Sequence, residues 1–238
     1  PQTPESGGAE TQAPLPKGNW KPIEMPEGSL AQGDLVLVNA AHGFEPSASL
    51  VTVYSQKTDS YFVKDTELSV DSRIMLPLNE WMDAFREATG IDNVNIVAGY
   101  RTKDYQQKLY DNAVTTKGKA HAESYIALPG HSEHHTGLAV DLDTYYADTG
   151  ASGDFDGTGK YAWVEEHAWQ FGFTRRYPEN KASVTGIAYE PWHFRYVGIP
   201  HAYAMKQNNQ CLEEYLEFLR KTKEKLKEYQ ENSEGVIT

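Results

Sequence analysis

Residues 129–141, Pro-Gly-His-Ser-Glu-His-His-Thr-Gly-Leu-Ala-Val-Asp, join a polar loop to an alternating strand pattern. From Gly137 onward, apolar side chains alternate with small or acidic ones, which is the period of a half-buried β-strand. Gly137 and Ala139 share a face with Asp141 and leave open space beside its carboxylate. This stretch therefore predicts a strand that presents Asp141, preceded by a loop that presents His134.

A second segment, Glu-Pro-Trp-His at residues 190–193, supplies another imidazole and another carboxylate. Zinc accepts imidazole nitrogen and carboxylate oxygen, and a catalytic zinc keeps one position for water. His134, Asp141 and His193 form such a ligand set, and Glu190 is a candidate acceptor for a proton from the water. Because positions 190 and 193 of a flat strand face opposite ways, Glu190 must lie in the turn before the strand.

A third segment, Gly-Tyr-Arg-Thr at residues 99–102, follows the β-branched run 94–98, which predicts a strand. Arg101 then stands at the end of that strand, where its cation is suited to stabilising an oxyanion. Taken singly, each candidate has an ordinary explanation. A loop histidine is usually solvated, Asp141 would serve as a turn or cap residue, and His193 would be a packed core histidine.

The combined pattern resembles the VanY-type D-alanyl-D-alanine carboxypeptidases, which belong to the wider LAS group with lysostaphin-type enzymes and hedgehog signalling domains. The resemblance rests on Ser-x-His-x-x-Gly-x-Ala-x-Asp at 132–141, on Glu-Pro-Trp-His, and on Gly-Tyr-Arg-Thr with Tyr105 and Gln106. It covers roughly residues 35 to 203. It implies a single α+β domain with a central antiparallel sheet flanked by helices.

For the reaction, the resemblance implies Zn²⁺ held by His134, Asp141 and His193, with Glu190 as general base and acid. The implied substrate is the stem peptide of peptidoglycan, from which the C-terminal D-alanine is removed. Hydrolysis of that peptide bond would use a water activated by the metal.

For the substrate, the resemblance implies that Arg101 polarises or anchors the peptide near the scissile bond. Ser132 and Gln106 would contact the terminal D-alanine or its carboxylate. His131 and His135 flank the ligand His134 and are interpreted as supporting or solvent-exposed side chains.

Several activities stay open at this point. A D,D-carboxypeptidase acting on pentapeptide stems is favoured, whereas an L,D-carboxypeptidase would act on tetrapeptide stems and an endopeptidase on cross-links. A binding module that keeps the fold and the zinc without turnover belongs to a different class. Glu190 together with Arg101 favours an enzyme, because a module without turnover is expected to lose the base.

The bulk composition excludes some classes of protein. Among 238 residues the net charge is −12, which argues against a nucleic-acid partner. A single cysteine excludes an intrachain disulfide and a cysteine-based zinc site. No protein partner is evident, and a monomer is expected.

The domain organisation follows from the same composition. Residues 1–32, rich in Pro, Gly, Glu, Gln and Thr, predict a disordered linker. The resemblance implies that 33–238 form the zinc carboxypeptidase domain with a C-terminal helix. Together with the lack of disulfides, the wall-peptide substrate that the resemblance implies suggests an extracytoplasmic location on a Gram-positive cell surface. A membrane tether upstream of Pro1 is one option.

Periodicity predicts the secondary structure along the chain. Helices are expected over 76–89, 103–114 with Thr102 as N-cap, 160–170 and 210–231. Strands are expected over 35–38, 49–54, 61–63, 94–98, 137–142 and 194–197, and loops over 113–123 and 145–159. This mixed, non-alternating order is typical of an α+β domain.

Overall fold

The computed structural model describes residues 33–45 and 49–234, with side chains described to residue 223. The linker predicted for 1–32 lies outside the described residues. The strands are β1 Leu50–Thr52, β2 Phe62–Val63, β3 Ser69–Asp71, β4 Val94–Ala98, β5 Ala139–Tyr146, β6 Ala151–Asp154, β7 Phe173–Arg175 and β8 His193–Tyr196. The helices are α1 Met75–Thr89, α2 Lys103–Lys117, α3 Lys119–Tyr125, α4 Ala162–His167, α5 Ala182–Thr185, α6 Ile199–Gln207 and α7 Leu212–Glu234.

The larger sheet has the strand order β2-β4-β5-β8-β7, and β6 pairs with the C-terminal half of β5. Its pairs are antiparallel except for the short β2, which runs parallel to β4 at one edge. Strands β1 and β3 form a separate antiparallel pair. The predicted α+β domain with a central antiparallel sheet and flanking helices is confirmed.

The main core lies between this sheet and α1. The indole of Trp81 stacks on Phe173 with ring centroids 4.8 Å apart and meets Phe194 edge-on at 5.0 Å. Such aromatic pairs add stability beyond the area they bury. Because Phe194 follows His193 on β8, the packing of α1 also fixes the strand that carries His193.

A smaller apolar cluster joins the N-terminal segment to α6 and α7, and it includes the buried Leu35, Val197 and Leu212. Cys211 lies beside it at the start of α7 and is 1% exposed. Burial raises the pKa of the Cys211 thiol to about 11. The backbone N–H of Cys211 donates to Glu214 Oε2 at 2.9 Å, which satisfies a donor at the helix start.

The strand predicted over 35–38 is wrong. Residues Gly33–Leu35 form a 3₁₀ turn, and the residues after it join no ladder, although Val38 is fully buried. The carbonyls of Asp34 and Val36 instead accept hydrogen bonds from Arg195 Nη2 at 3.0 and 2.8 Å. The apolar run therefore reflects burial against a side chain that replaces a neighbouring strand.

The loop predicted over 113–123 is also wrong, because α2 continues to Lys117 and α3 begins at Lys119. Ala113 and Ala122 are the buried residues of this stretch, and the side chains around them are mostly exposed. Two small side chains suffice where helices pack closely, and they leave little apolar periodicity in the sequence.

Two further predictions between β5 and β7 need correction. The predicted loop over 145–159 contains β6, whose side chains are mostly exposed and therefore give no apolar alternation. The predicted helix over 160–170 is α4 flanked by 3₁₀ turns at Gly159–Tyr161 and Ala168–Phe171. No helix in the described part of the chain combines the length and apolar character that a membrane span needs.

Candidate active site

The register of the central strands brings Asp141 and His193 together. Asp141 on β5 lies directly opposite His193 on β8, and Ala98 of β4 lies opposite Asp141 on the other side. Directly opposed residues of antiparallel strands have neighbouring side chains. Asp141 Oδ1 is accordingly 2.8 Å from His193 Nδ1.

His134 reaches the same point from the 3₁₀ turn Glu133–Thr136 that precedes β5. Its Nδ1 lies 2.7 Å from the carbonyl oxygen of Gly99, and a carbonyl only accepts, so the proton is on Nδ1. The lone pair is then on Nε2, which lies 3.2 Å from Asp141 Oδ2. The loop and the strand thus present adjacent donor atoms.

These three side chains can hold a metal ion. One candidate ligand atom from each of His134, Asp141 and His193 lies within 4.8 Å of the others, and all three residues are buried. Burial, together with the charge of Arg101, lowers the pKa of His134 to about 4. Its imidazole is therefore neutral at pH 7, which is the form that binds a metal. Two imidazoles and a carboxylate are a donor set that suits zinc.

Glu190 lies directly before the turn Pro191–Trp192 that enters β8, outside the strand itself, so its side chain and that of His193 can reach one site. Its backbone N–H donates to the Tyr177 carbonyl at 3.2 Å, and its Oε2 is 3.8 Å from His193 Nδ1. Burial raises the pKa of Glu190 to about 8, and the negative charge of Asp141 adds to this effect. A carboxyl group with such a pKa can accept and return a proton near neutral pH.

Arg101 is fixed against the same cluster. Its Nη2 donates to Asp141 Oδ2 at 2.6 Å, and its backbone N–H donates to the His134 carbonyl at 3.1 Å. His135 is fully buried, accepts from the Gly130 N–H at 3.0 Å, and its Nδ1 lies 2.7 Å from the Arg101 carbonyl. His135 therefore supports the backbone of Arg101.

A cleft of about 450 Å³ opens onto this cluster, and all seven predicted site residues border it. Ser132 and Gln106 are 3% and 1% exposed. Gln106 Nε2 donates to the Ala127 carbonyl at 2.8 Å, whereas Gln106 Oε1 has no partner among the described residues. This oxygen is free to accept a hydrogen bond from a bound molecule. The individual roles of the seven residues stay predictions.

Among the residues that border the cleft and that sequence reasoning left unassigned are Glu133 and Tyr177. Glu133 is acidic and directly precedes the candidate ligand His134, which was the available signal. The Tyr177 ring lies 4.9 Å from the His193 ring between centroids. Nothing in the spacing or periodicity around Tyr177 marks it, because its place depends on β7 and β8 pairing.

The VanY family model, described as D-alanyl-D-alanine carboxypeptidase, matches residues 67–199. The chain belongs to this family. The matched span includes all the candidate site residues, so the resemblance read from the motifs is confirmed. A D-alanyl-D-alanine carboxypeptidase of Enterococcus faecalis is 38% identical over 188 residues, which cover 73% of this chain and 68% of that protein.

Solved structures of similar proteins share the fold of this VanY-family chain. A vancomycin-resistance D,D-pentapeptidase VanY variant in complex with Zn(II) matches with a TM-score of 0.63 and 34% identity, over 77% of this chain and 98% of that one. VanYB in complex with D-alanine-D-alanine has the same TM-score of 0.63 and 34% identity, over 77% and 97%. The LD-carboxypeptidase LdcB has a TM-score of 0.65 and 34% identity, over 77% and 85%.

The VanY-family chain spans only part of some relatives. It covers 68%, 46% and 64% of the length of three curated proteins that it matches, two named D-alanyl-D-alanine carboxypeptidase and one named putative carboxypeptidase YodJ.

Proposed function

We propose that this VanY-family protein is a zinc-dependent carboxypeptidase that releases the C-terminal D-alanine of peptidoglycan stem peptides, with D,D-pentapeptide stems as the favoured substrate. The observation that carries the proposal is the convergence of three candidate ligands with Glu190 and Arg101 at one cleft. The similarity to VanYB, which was solved with D-alanine-D-alanine, supports the substrate class.

His134, Asp141 and His193 would hold the zinc, consistent with the VanY variant solved with Zn(II). When bound, Zn²⁺ supplies Lewis-acid chemistry: it polarises a carbonyl and lowers the pKa of water. Glu190 Oε2 would take the proton of the attacking water and return it to the departing amine of D-alanine. The same carboxyl group thus serves as base and then as acid.

Arg101 would stabilise the negative charge that develops on the carbonyl oxygen, because a fixed cation beside a buried site acts strongly. Its bond to Asp141 holds the guanidinium in place before substrate arrives. The Ser132 hydroxyl would donate to the terminal carboxylate, and Gln106 Oε1 would accept from an N–H of the peptide. These contacts would select a peptide that ends at the cleft.

An L,D-carboxypeptidase acting on tetrapeptide stems is the second candidate, and the similarity to LdcB favours it. Both substrates end in D-alanine and differ in the next residue inward. The proposed substrate lies outside the cytoplasmic membrane, so either proposal carries an extracytoplasmic location with it.

The test is release of D-alanine from defined pentapeptide, tetrapeptide and cross-linked stems, with and without a chelator. We expect release from the pentapeptide, loss of activity with the chelator, and recovery on adding zinc. Faster release from the tetrapeptide would favour the L,D reading, and cleavage of cross-links alone would indicate an endopeptidase. Zinc binding without any release would indicate a binding module and contradict the proposal.

A single substitution tests the assignment of Glu190 as the general base. Glu190→Gln should lower kcat by about 10²- to 10⁴-fold, because general acid–base catalysis contributes about that much. Zinc content should stay as in the wild type, since Glu190 is outside the ligand set. Glu179→Gln, at an exposed site, is the matched control and should leave kcat unchanged. Normal turnover by Glu190→Gln would make the assignment wrong.

A further inference from the structure

A buried cluster of charges lies behind the candidate metal ligands. Glu133 Oε1 accepts hydrogen bonds from Arg176 Nε at 2.7 Å and from Arg195 Nη1 at 2.8 Å. The side chains of all three residues are fully buried. Removing such charges from water costs free energy that ion pairing often fails to recover, so stability alone does not explain the cluster.

Glu133 Oε2 and His193 Nε2 are both buried without a hydrogen-bond partner among the described residues, and they lie 3.5 Å apart. The other ring nitrogen, His193 Nδ1, faces Asp141 in the candidate metal site. Once a metal replaces the proton between His193 Nδ1 and Asp141 Oδ1, a proton on His193 Nε2, shared with Glu133 Oε2, would satisfy both buried atoms and leave the Nδ1 lone pair for the metal.

We propose that Glu133 is a positioning residue that fixes the ring orientation and the tautomer of His193, so that Nδ1 is the nitrogen that binds zinc. Histidine ligands of metals usually donate their second N–H to a carboxylate or a carbonyl, which orients the ring and makes it a better donor. The inference rests on the zinc site of the proposed function. It gives a role to the Glu133 carboxylate, which takes no direct part in the proposed hydrolysis.

The two arginines that bind Glu133 are in turn hydrogen-bonded to residues near the two ends of the domain. Arg176 donates through Nη1 and Nη2 to Glu213 on α7, at 2.8 and 2.6 Å. Arg195 donates to the backbone carbonyls of the segment that begins at Gly33. Glu133 Oε1 is therefore fixed by two arginines, and only Oε2 is left to face His193.

A carboxylate is needed at this position because it has two acceptor oxygens. In Glu133→Gln, the single amide oxygen can serve either the arginines or His193, and the amide N–H₂ must face a donor on the other side. The substitution keeps the size of the side chain and removes one of the two interactions. The variant can keep only one of the two contacts, either the one to the arginines or the one to His193.

The test measures zinc affinity of the full chain by competition with a chelator. We expect Glu133→Gln to bind zinc about 10- to 100-fold more weakly than the wild type. Glu214→Gln is the matched control: Glu214 lies on α7 next to Glu213 but pairs with Lys181 at 2.8 Å, so this variant should bind zinc as tightly as the wild type. Equal zinc affinity of a folded Glu133→Gln and the wild type would overturn the proposal, and so would a raised KM with unchanged zinc affinity.

A second measurement needs no variant, which matters because Glu133→Gln leaves two buried arginines short of an acceptor. In the zinc-loaded wild type, the ring NMR signals of His193 should show the proton on Nε2, far downfield and in slow exchange. A proton on Nδ1 with Nε2 as ligand would overturn the inference. If the wild type bound no zinc, the proposed function would fail first, so the two failures are distinguishable.

Discussion

At the scale of single residues, Gly99 has the least room for a Cβ atom among the glycines of the described residues. Its carbonyl accepts the bond that orients His134. A Cβ atom at Gly99 would lie 2.3 Å from the Ser69 carbonyl oxygen and 2.8 Å from Val70 Cγ1. Both distances are too short, so β3 or the end of β4 would have to move.

We therefore expect Gly99→Ala to lower the free energy of unfolding by about 1 to 3 kcal/mol. It should also weaken zinc binding, because the carbonyl that orients His134 is displaced. Gly90→Ala is the control: its Cβ would meet nothing within 4 Å, and its φ of +74° adds backbone strain alone. Denaturant titration and zinc competition measure both effects. Unchanged zinc affinity in Gly99→Ala would contradict the expectation.

At the scale of elements, Asp71 connects the start of α1 to the site loop. Its Oδ1 accepts from the backbone N–H and from Nε of Arg73, at 3.0 and 2.8 Å, and its own N–H donates to the Gly137 carbonyl at 2.9 Å. Burial opposes ionisation of Asp71, but the hydrogen bonds from Arg73 outweigh it and hold the pKa of Asp71 below its usual value.

This pKa shift fixes the sign of a pH effect. A carboxyl group whose pKa is lower in the folded state stabilises the fold fully above its unfolded pKa of about 4. The contribution is lost as the pH falls through the folded pKa. We expect Asp71→Asn to be less stable than the wild type at pH 7, by about 1 kcal/mol, with a deficit that shrinks below pH 4.

Urea denaturation of both proteins between pH 3 and 8 measures this difference. Asp148→Asn, at an exposed site after β5, serves as control and should show little difference at any pH. A deficit of Asp71→Asn that grew in acid would contradict the sign.

The elements differ in how well the sequence predicts them. The strand Val94–Ala98 was predicted from its β-branched run, and Thr102 caps α2 as expected, with its Oγ1 accepting from the Tyr105 N–H at 3.1 Å. Both predictions depend only on residues that are neighbours along the chain. The helix α3 escaped prediction because tertiary packing, through a few small side chains, determines it.

The same distinction applies to the site. The motifs predicted His134, Asp141 and His193 as metal ligands, but the register that sets Asp141 opposite His193 cannot be read from spacing. Glu133 was marked by its place directly before His134, but its contacts could not be predicted. Its partners Arg176 and Arg195 lie 43 and 62 residues away along the chain, and no local pattern links them.

At the scale of the whole molecule, the candidate metal site joins distant parts of the chain. Asp141 and His193 are separated by 52 residues, and they come from different strands. A metal bound to both stabilises only the folded state, since the unfolded chain does not bring these ligands together. Stability should therefore depend on the concentration of free zinc.

We expect zinc at 100 times its dissociation constant to raise the free energy of unfolding by about 2.7 kcal/mol. His193→Ala should abolish most of this increase, because one ligand is missing. His42→Gln, at an exposed position outside the site, should keep it. Thermal melts with zinc and with a chelator measure the shift in Tm, and an equal shift in His193→Ala would show that zinc binds elsewhere.

The buried thiol of Cys211 can report local opening of the native protein. The sequence contains no other cysteine, and this thiol is buried between the end of α6 and the start of α7. A thiol reagent can react with Cys211 only when this part of the structure opens locally. The labelling rate in native buffer therefore measures how often such openings occur. That rate would report release of the C-terminal helix, without any engineered cysteine.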